Sequence, residues 1–253
     1  MGVLFFIALI LRAAPGSVLA LRWRDFAAAR SQRLAVVRLS LPSVGERLAM
    51  NLALLAYFRV LSEYGPVAIA AYTVGLRILS FAWMPGIGFG VAAATLVGQA
   101  LGAGQPARAA RAGWRSVRLA FVTAAALGAL CAVGRGELAR LFTDDAALVA
   151  ALGPFLLCAS LAQPFLQSHF TLGGAHRGAG DTFTPFLASI VSNWALRVPL
   201  SVLVAYVLRA DLAWVWAVIL FDHVARSAWL AVSFRSGRWR SSTGATPQDA
   251  ATP

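Results

Sequence analysis

Charged residues sit inside stretches of sequence that are otherwise mostly apolar, Glu46, Arg77, Arg197, Asp222 and Arg226 among them. A charge at the centre of a bilayer costs about 2.5–3.5 kcal/mol on the mildest insertion scale, so each of these needs a partner, water or a function. Spacing indicates the partners. Arg226 follows Asp222 by one helical turn, and Arg197 lies midway along the preceding apolar stretch. A carboxylate held between two guanidinium groups is expected there, acting either as a clamp between helices or as a proton-linked switch. His223, beside Asp222, could titrate near neutral pH or serve as a hydrogen-bonded core residue. A second set is Glu46, Asn51 and Arg77. At about 1.5 Å per residue, Asn51 is about 13 Å from one membrane face and Arg77 about 16 Å from the other. In a core about 30 Å thick the two reach similar depth, with Glu46 one turn nearer the cytoplasm. This cluster too reads as a clamp or a coupling site, although its arginine would repel a driving cation.

The elements that must position these groups are membrane spans. The chain has 253 residues, 59% hydrophobic and 13% charged, with mean hydropathy +0.72. A soluble domain carries about 25% charged residues, so the composition excludes a water-soluble globule. All 22 basic residues are arginine and the net charge is +12. They fall between apolar stretches, as the positive-inside bias requires, and not on a solvated face suited to nucleic acid. Cys131 and Cys158 lie in apolar sequence and suggest neither a disulfide framework nor a metal site.

Six spans are expected: 43–62, 67–101, 119–133, 146–172, 182–208 and 212–234. The third starts earlier, from Pro106, as an amphipathic helix. Arginine-rich connections alternate with short or near-neutral ones at 62–66, 134–145 and 209–211, which places both ends of the unit in the cytoplasm. Residues 1–11 read as the tail of a preceding transmembrane helix and 12–41 as a basic cytoplasmic linker. The lobe then occupies 42–235 and a disordered cytoplasmic tail 236–253. The fold class is an all-α polytopic membrane helix bundle.

The second span is the longest, PVAIAAYTVGLRILSFAWMPGIGFGVAAATLVGQALGAG over 66–104. It is too long for one straight crossing. It is read as one helix bent at Pro85, where the i→i−4 bond is lost. Gly86, Gly88 and Gly90 would let neighbouring helices approach closely. Pro85 frees a carbonyl for a polar group or an ion, or produces a simple kink. Tyr57, Tyr72, Gln163 and Gln167, with Asn51 and other aromatics, could line a cavity for a flat organic cation.

Several of these segments together carry a family resemblance: Leu41-Pro42, AAYTVGLRI at 70–78, MPGIGFGVAAATLVGQALGAG at 84–104, LFTDD at 141–145, HRGAGDTFTP at 176–185 and WALRVPL at 194–200. In this order and spacing they resemble the C-terminal six-helix lobe of a multidrug and toxic compound extrusion (MATE) transporter. The resemblance implies one lobe of a two-lobe antiporter that exports amphipathic organic cations against an inward H⁺ or Na⁺ gradient, with no other cofactor. It also implies a complementary N-terminal lobe or a second copy as partner, and a bacterial inner membrane with the C-terminus cytoplasmic. This chain departs from the family pattern in the fourth span. Some sodium-coupled members carry a carboxylate there, whereas this chain has Gln163, Gln167 and His169. A non-transporting remnant and a lipid or polysaccharide flippase of similar architecture are the alternatives. Catalysis has no support: nucleotide-loop, nucleophile-elbow and Cys/His-ligand spacings do not occur.

Overall fold

A computed structural model describes residue 45 and residues 48–241. The chain divides into two units, Met1–Leu48 and Ala49–Pro253, and nearly all described residues belong to the second. Their regular elements are all helical: α1 (48–61), α2 (Pro66–Gly102), α3 (Pro106–Val133), α4 (Arg135–Phe142), α5 (Ala146–Gly178), α6 (Phe183–Val207) and α7 (Leu212–Ser236). Five of them, α2, α3, α5, α6 and α7, are long and apolar enough to cross a membrane by length and composition. α1 lies where the first expected span falls and ends in a 3₁₀ turn, Ser62–Tyr64. The chain is a multi-pass membrane protein.

α5 is the central helix and packs against α2, α3, α4 and α7. Its start is fixed by Asp145, whose Oδ1 accepts from the amides of Ala147 at 2.9 Å and Leu148 at 3.4 Å. It runs through Pro154 and Pro164 without a break, which a membrane helix tolerates when neighbours take up the freed backbone groups. One half of the lobe is cored by aromatic rings. Tyr72 stacks parallel to Trp216 at 6.2 Å and meets Phe155 edge-on at 5.8 Å, with Tyr57 at 5.3 Å. The other half is cored by small residues and Leu172, Leu230 and Phe234.

Glycines set the α2–α5 distance. A Cβ added at Gly174 would fall 2.0 Å from the Gly90 carbonyl oxygen, and one at Gly178 would fall 2.2 Å from that of Ala94. Gly86, Gly90 and Gly98 complete the seam, with Cβ positions 2.8 to 3.1 Å from Gln167, Phe170 and Gly178. Spaced four apart on one helix face, such residues bring two backbones into contact. Gly88 does not belong to this seam: it is exposed, with open space where a Cβ would be. It is two residues from Gly86 and Gly90, so it points elsewhere on a helix turning about 100° per residue.

Three boundaries differ from expectation. α5 extends to Gly178, so GGAHRG is helical and only 179–182 form the turn. Close packing on α2 outweighs the turn preference of those glycines. The connection 134–145 contains the helix α4, whose Ala139 is buried. The expected tail begins too early, because Arg238–Ser241 form a 3₁₀ turn. Trp239 there is buried, its ring 4.7 Å from that of Phe234 and nearly parallel to it. Much of the outer surface of the spans is apolar. Phe81, Met84 and Val91 on α2 are 79%, 70% and 64% exposed, which suits hydrocarbon and would be an aggregation hazard in water.

Candidate functional site

Asp222 is fully buried at mid-length in α7 and carries the expected pair of arginines. Its Oδ2 lies 3.3 Å from Nη2 of Arg226, one turn on, and 3.3 Å from Nη2 of Arg197 on α6. Arg226 also reaches Oδ1 at 3.4 Å. Ser192 adds a hydroxyl donor to the same Oδ1. One carboxylate thus joins α6 to α7 through two guanidinium groups and a hydroxyl. Breaking such a buried pair by removing one partner costs about 3–5 kcal/mol, because a charge is left behind uncompensated.

The backbone of α6 makes this possible. Ser192–Arg197 forms a π turn, and a second one follows at Leu203–Val207. On an α-helix two residues five apart point about 140° apart at about 100° per residue. The i→i+5 turn brings Ser192 and Arg197 back toward one face. Pro199, just beyond it, lacks the N–H that would bond the Ala195 carbonyl, a disruption that favours such a slip. Neither Ser192 nor the π turn was legible in the sequence; Pro199 was the sole pointer.

Two histidines border the cluster. The rings of His169 on α5 and His223 on α7 stack at 5.3 Å and 14°. Arg197 donates from Nη2 to Nε2 of His223 at 3.4 Å. A guanidinium can only donate, so Nε2 accepts and a neutral His223 carries its proton on Nδ1, which has no partner among the described residues. His169 Nε2 and the Tyr57 hydroxyl are likewise buried without a partner among the described residues. The Arg197 guanidinium carbon lies 5.8 Å from the centre of the Tyr57 ring, a cation–π contact that helps hold the charge in an apolar setting.

The expected Glu46, Asn51 and Arg77 cluster is not assembled by its described members. Asn51 on α1 and Arg77 on α2 are both exposed, and no hydrogen bond joins them. Glu46 lies outside the described residues. The depth estimate fixed height along each helix but not rotation about its axis. The four expected cavity residues are interior ones: Tyr57, Tyr72, Gln163 and Gln167 are each 5% exposed or less. The two tyrosines belong to the aromatic core. Gln163 faces the close contact with Gly128 of α3. Gln167 donates from Nε2 to the Ala82 carbonyl at 2.6 Å, three residues before Pro85, and its methylene lies against Gly86. A side chain of α5 therefore bonds the backbone of α2 in the turn before the proline; α2 itself stays helical through Pro85.

Outside the spans, two carboxylates are tied down. Arg59 pairs with Glu63, and the Tyr206 hydroxyl donates to Glu63 at 3.1 Å. The Arg59 guanidinium, and then Tyr206, hold the Glu63 carboxyl below its ordinary range. At the other end Asp181 accepts from the Thr184 amide at 3.0 Å and meets Nδ1 of His176 at 2.9 Å. Burial opposes ionisation of Asp181, yet these hydrogen bonds keep its carboxyl below the ordinary value. Gly180, at φ 81°, closes the turn between them.

Comparison with known proteins places this arrangement in a family. The MatE family model matches residues 42–203. A probable multidrug resistance protein NorM from Thermotoga maritima is 28% identical over 212 residues, 83% of this chain and 45% of that protein. Another, from Rhodopseudomonas palustris, is 34% identical over 141 residues, 52% of this chain and 29% of that protein. Among solved structures, an inward-facing multidrug resistance MATE family transporter of the MOP superfamily superposes with TM-score 0.78 at 20% identity, covering 96% of this chain and 56% of that one. A MOP superfamily transporter from Pyrococcus furiosus gives TM-score 0.74 at 21% identity, covering 96% and 54%. The chain thus spans about half the length of the proteins it matches. With the family model matching most of its length, and with the helical architecture its motifs imply, this chain belongs to the MatE family.

Proposed function

We propose that this chain is the C-terminal six-helix lobe of a cation-coupled multidrug efflux transporter, driven by H⁺ or Na⁺ and working with a complementary lobe. That lobe is either a separate chain or a second copy of this one. The proposed setting is a bacterial inner membrane with the C-terminus in the cytoplasm, and the proposed cargo is amphipathic organic cations. The observation that carries the reading is the MatE match over 42–203, joined to a buried charge cluster that links two membrane helices. Two guanidinium groups on one carboxylate would repel a sodium ion, so any coupling role for Asp222 is proton-linked. In the conformation described, the trio acts as a clamp between α6 and α7.

The test is efflux of a fluorescent organic cation from vesicles containing the full chain, with and without a proton or sodium gradient. Gradient-dependent efflux is expected, from the chain alone if two copies assemble or after its complementary lobe is added. Absence of efflux from inserted, folded protein in both arrangements refutes the reading. Asp222→Asn then separates the roles. A clamp predicts lost stability with an unaltered pH profile in the residual transport, whereas a proton-linked switch predicts an altered profile.

A further inference from the structure

We propose that the groove between α2 and α3, at the arginine-bearing end of α3, binds an anionic phospholipid. The groove has a volume of about 500 Å³ and is lined by Arg108, Arg111 and Arg115 with Leu96 and Leu119 among its walls. The arginines are three and four residues apart and so share one helix face. All three are exposed, and α3 carries no acidic residue along its whole length. Arg108 donates to Oε1 of Gln105 at 3.2 Å. Among the described residues, no ion pair engages Arg111 or Arg115. Like charges a turn apart repel, and a phosphate diester between them relieves that repulsion through the charge-assisted hydrogen bonds that guanidinium groups form best.

The other half of the fit is apolar. Leu119 is one turn beyond Arg115 and 60% exposed, and Val122 continues the same face at 66%. Leu96 of α2 is exposed at 47% across the groove. Basic residues at one end of a helix face and bare aliphatic residues along the rest match a phosphate headgroup followed by acyl chains. Basic pockets between membrane helices are the usual seat for anionic headgroups. Free phosphate would use the arginines and leave the aliphatic wall without a role. The orientation bias of membrane proteins accounts for arginines at this end but not for three of them in one groove.

Arg118 supplies the control. It sits on the same helix with the same charge and exposure but does not line the groove. The experiment is native mass spectrometry of the purified full chain titrated with phosphatidylglycerol, and separately with phosphatidylcholine. Losing one guanidinium that bonds the headgroup phosphate removes a charge-assisted hydrogen bond and lowers binding about tenfold. The double variant Arg111→Gln/Arg115→Gln is therefore expected to lose about 100-fold for phosphatidylglycerol, with phosphatidylcholine unchanged. Arg118→Gln is expected to change either by less than about twofold. Ala112→Glu sets a carboxylate among the arginines at favourable helical spacing. It is expected to reproduce the double variant's loss, and it provides a second route if that variant does not fold. Equal losses from Arg118→Gln and the groove variants would overturn the proposal in favour of diffuse attraction. Displacement of the lipid by millimolar inorganic phosphate would overturn it in favour of an ion site.

Discussion

Replacing Gly174 by alanine should separate two helices. The added Cβ would stand 2.0 Å from the Gly90 carbonyl oxygen and 2.6 and 2.8 Å from its carbonyl carbon and Cα. All three are backbone atoms, so no side chain can rotate away. Ordinary contact begins at 3.4 Å, and the local gap must open by 3.4 − 2.0 = 1.4 Å. A gap of about 0.5–1 Å already forfeits a quarter to a half of each dispersion contact. Overpacking of this kind costs about 1–3 kcal/mol, and backbone clashes belong at the upper end. Alanine returns about 0.5–1 kcal/mol through its better helix propensity, leaving a net loss of about 2 kcal/mol. Gly88→Ala is the matched control: nothing lies within 4 Å of its Cβ, so it should gain the propensity term alone. Unfolding of the chain in mixed micelles, followed by helix content, measures both. Gly174→Ala as stable as Gly88→Ala would refute the close approach of α2 and α5.

Other outcomes follow from single contacts. Gln167→Leu removes the side-chain donor to the Ala82 carbonyl and should cost about 0.5–1.5 kcal/mol, the net worth of one hydrogen bond. Gln163→Leu should cost less by the same unfolding assay, because Gln163 Oε1 has no partner to lose among the described residues. Asp181→Asn keeps a capping oxygen for the Thr184 amide but removes the negative charge at the N-terminus of α6, and should lower stability at neutral pH by about 0.3–1 kcal/mol. The Asp181 carboxyl is held below its ordinary value. Its contribution is therefore complete above an ordinary carboxylate pKa of about 4 and disappears as pH falls through the lowered value. The stability gap between wild type and variant should close on acidification below about pH 4; a gap independent of pH would remove Asp181 from the cause.

What the sequence could reveal depended on whether a feature lies along a helix or around it. The spans were legible because hydropathy and arginine placement vary along the chain. The Asp222–Arg226 contact was legible because four residues are one turn, and Arg197 followed because a buried charge must find its opposite. Arg77 and Asn51 show the limit: equal depth does not fix the direction in which a side chain leaves its helix. The fourth span was ended six residues early, at 172, because a glycine's preference for turns is weaker than a neighbouring backbone that leaves no room for a side chain. Gln167 looked like a cavity residue because polarity alone does not distinguish a ligand contact from a hydrogen bond to the helix next door.

The π turn at Ser192–Arg197 makes α6 tolerant of a change in length that other spans could not absorb. Deleting one residue from an α-helix in a bundle turns everything beyond it through about 100° and carries every later side chain off its partner. A π turn already holds one residue more than the regular helix needs. Removing a residue between Ser192 and Arg197 would convert the turn to α and leave those two four apart, on one face as before. The helix carries the equivalent of an insertion that its flanks never registered. Lineages that lost this residue could keep the Asp222 contacts while shortening the sequence that separates their donors.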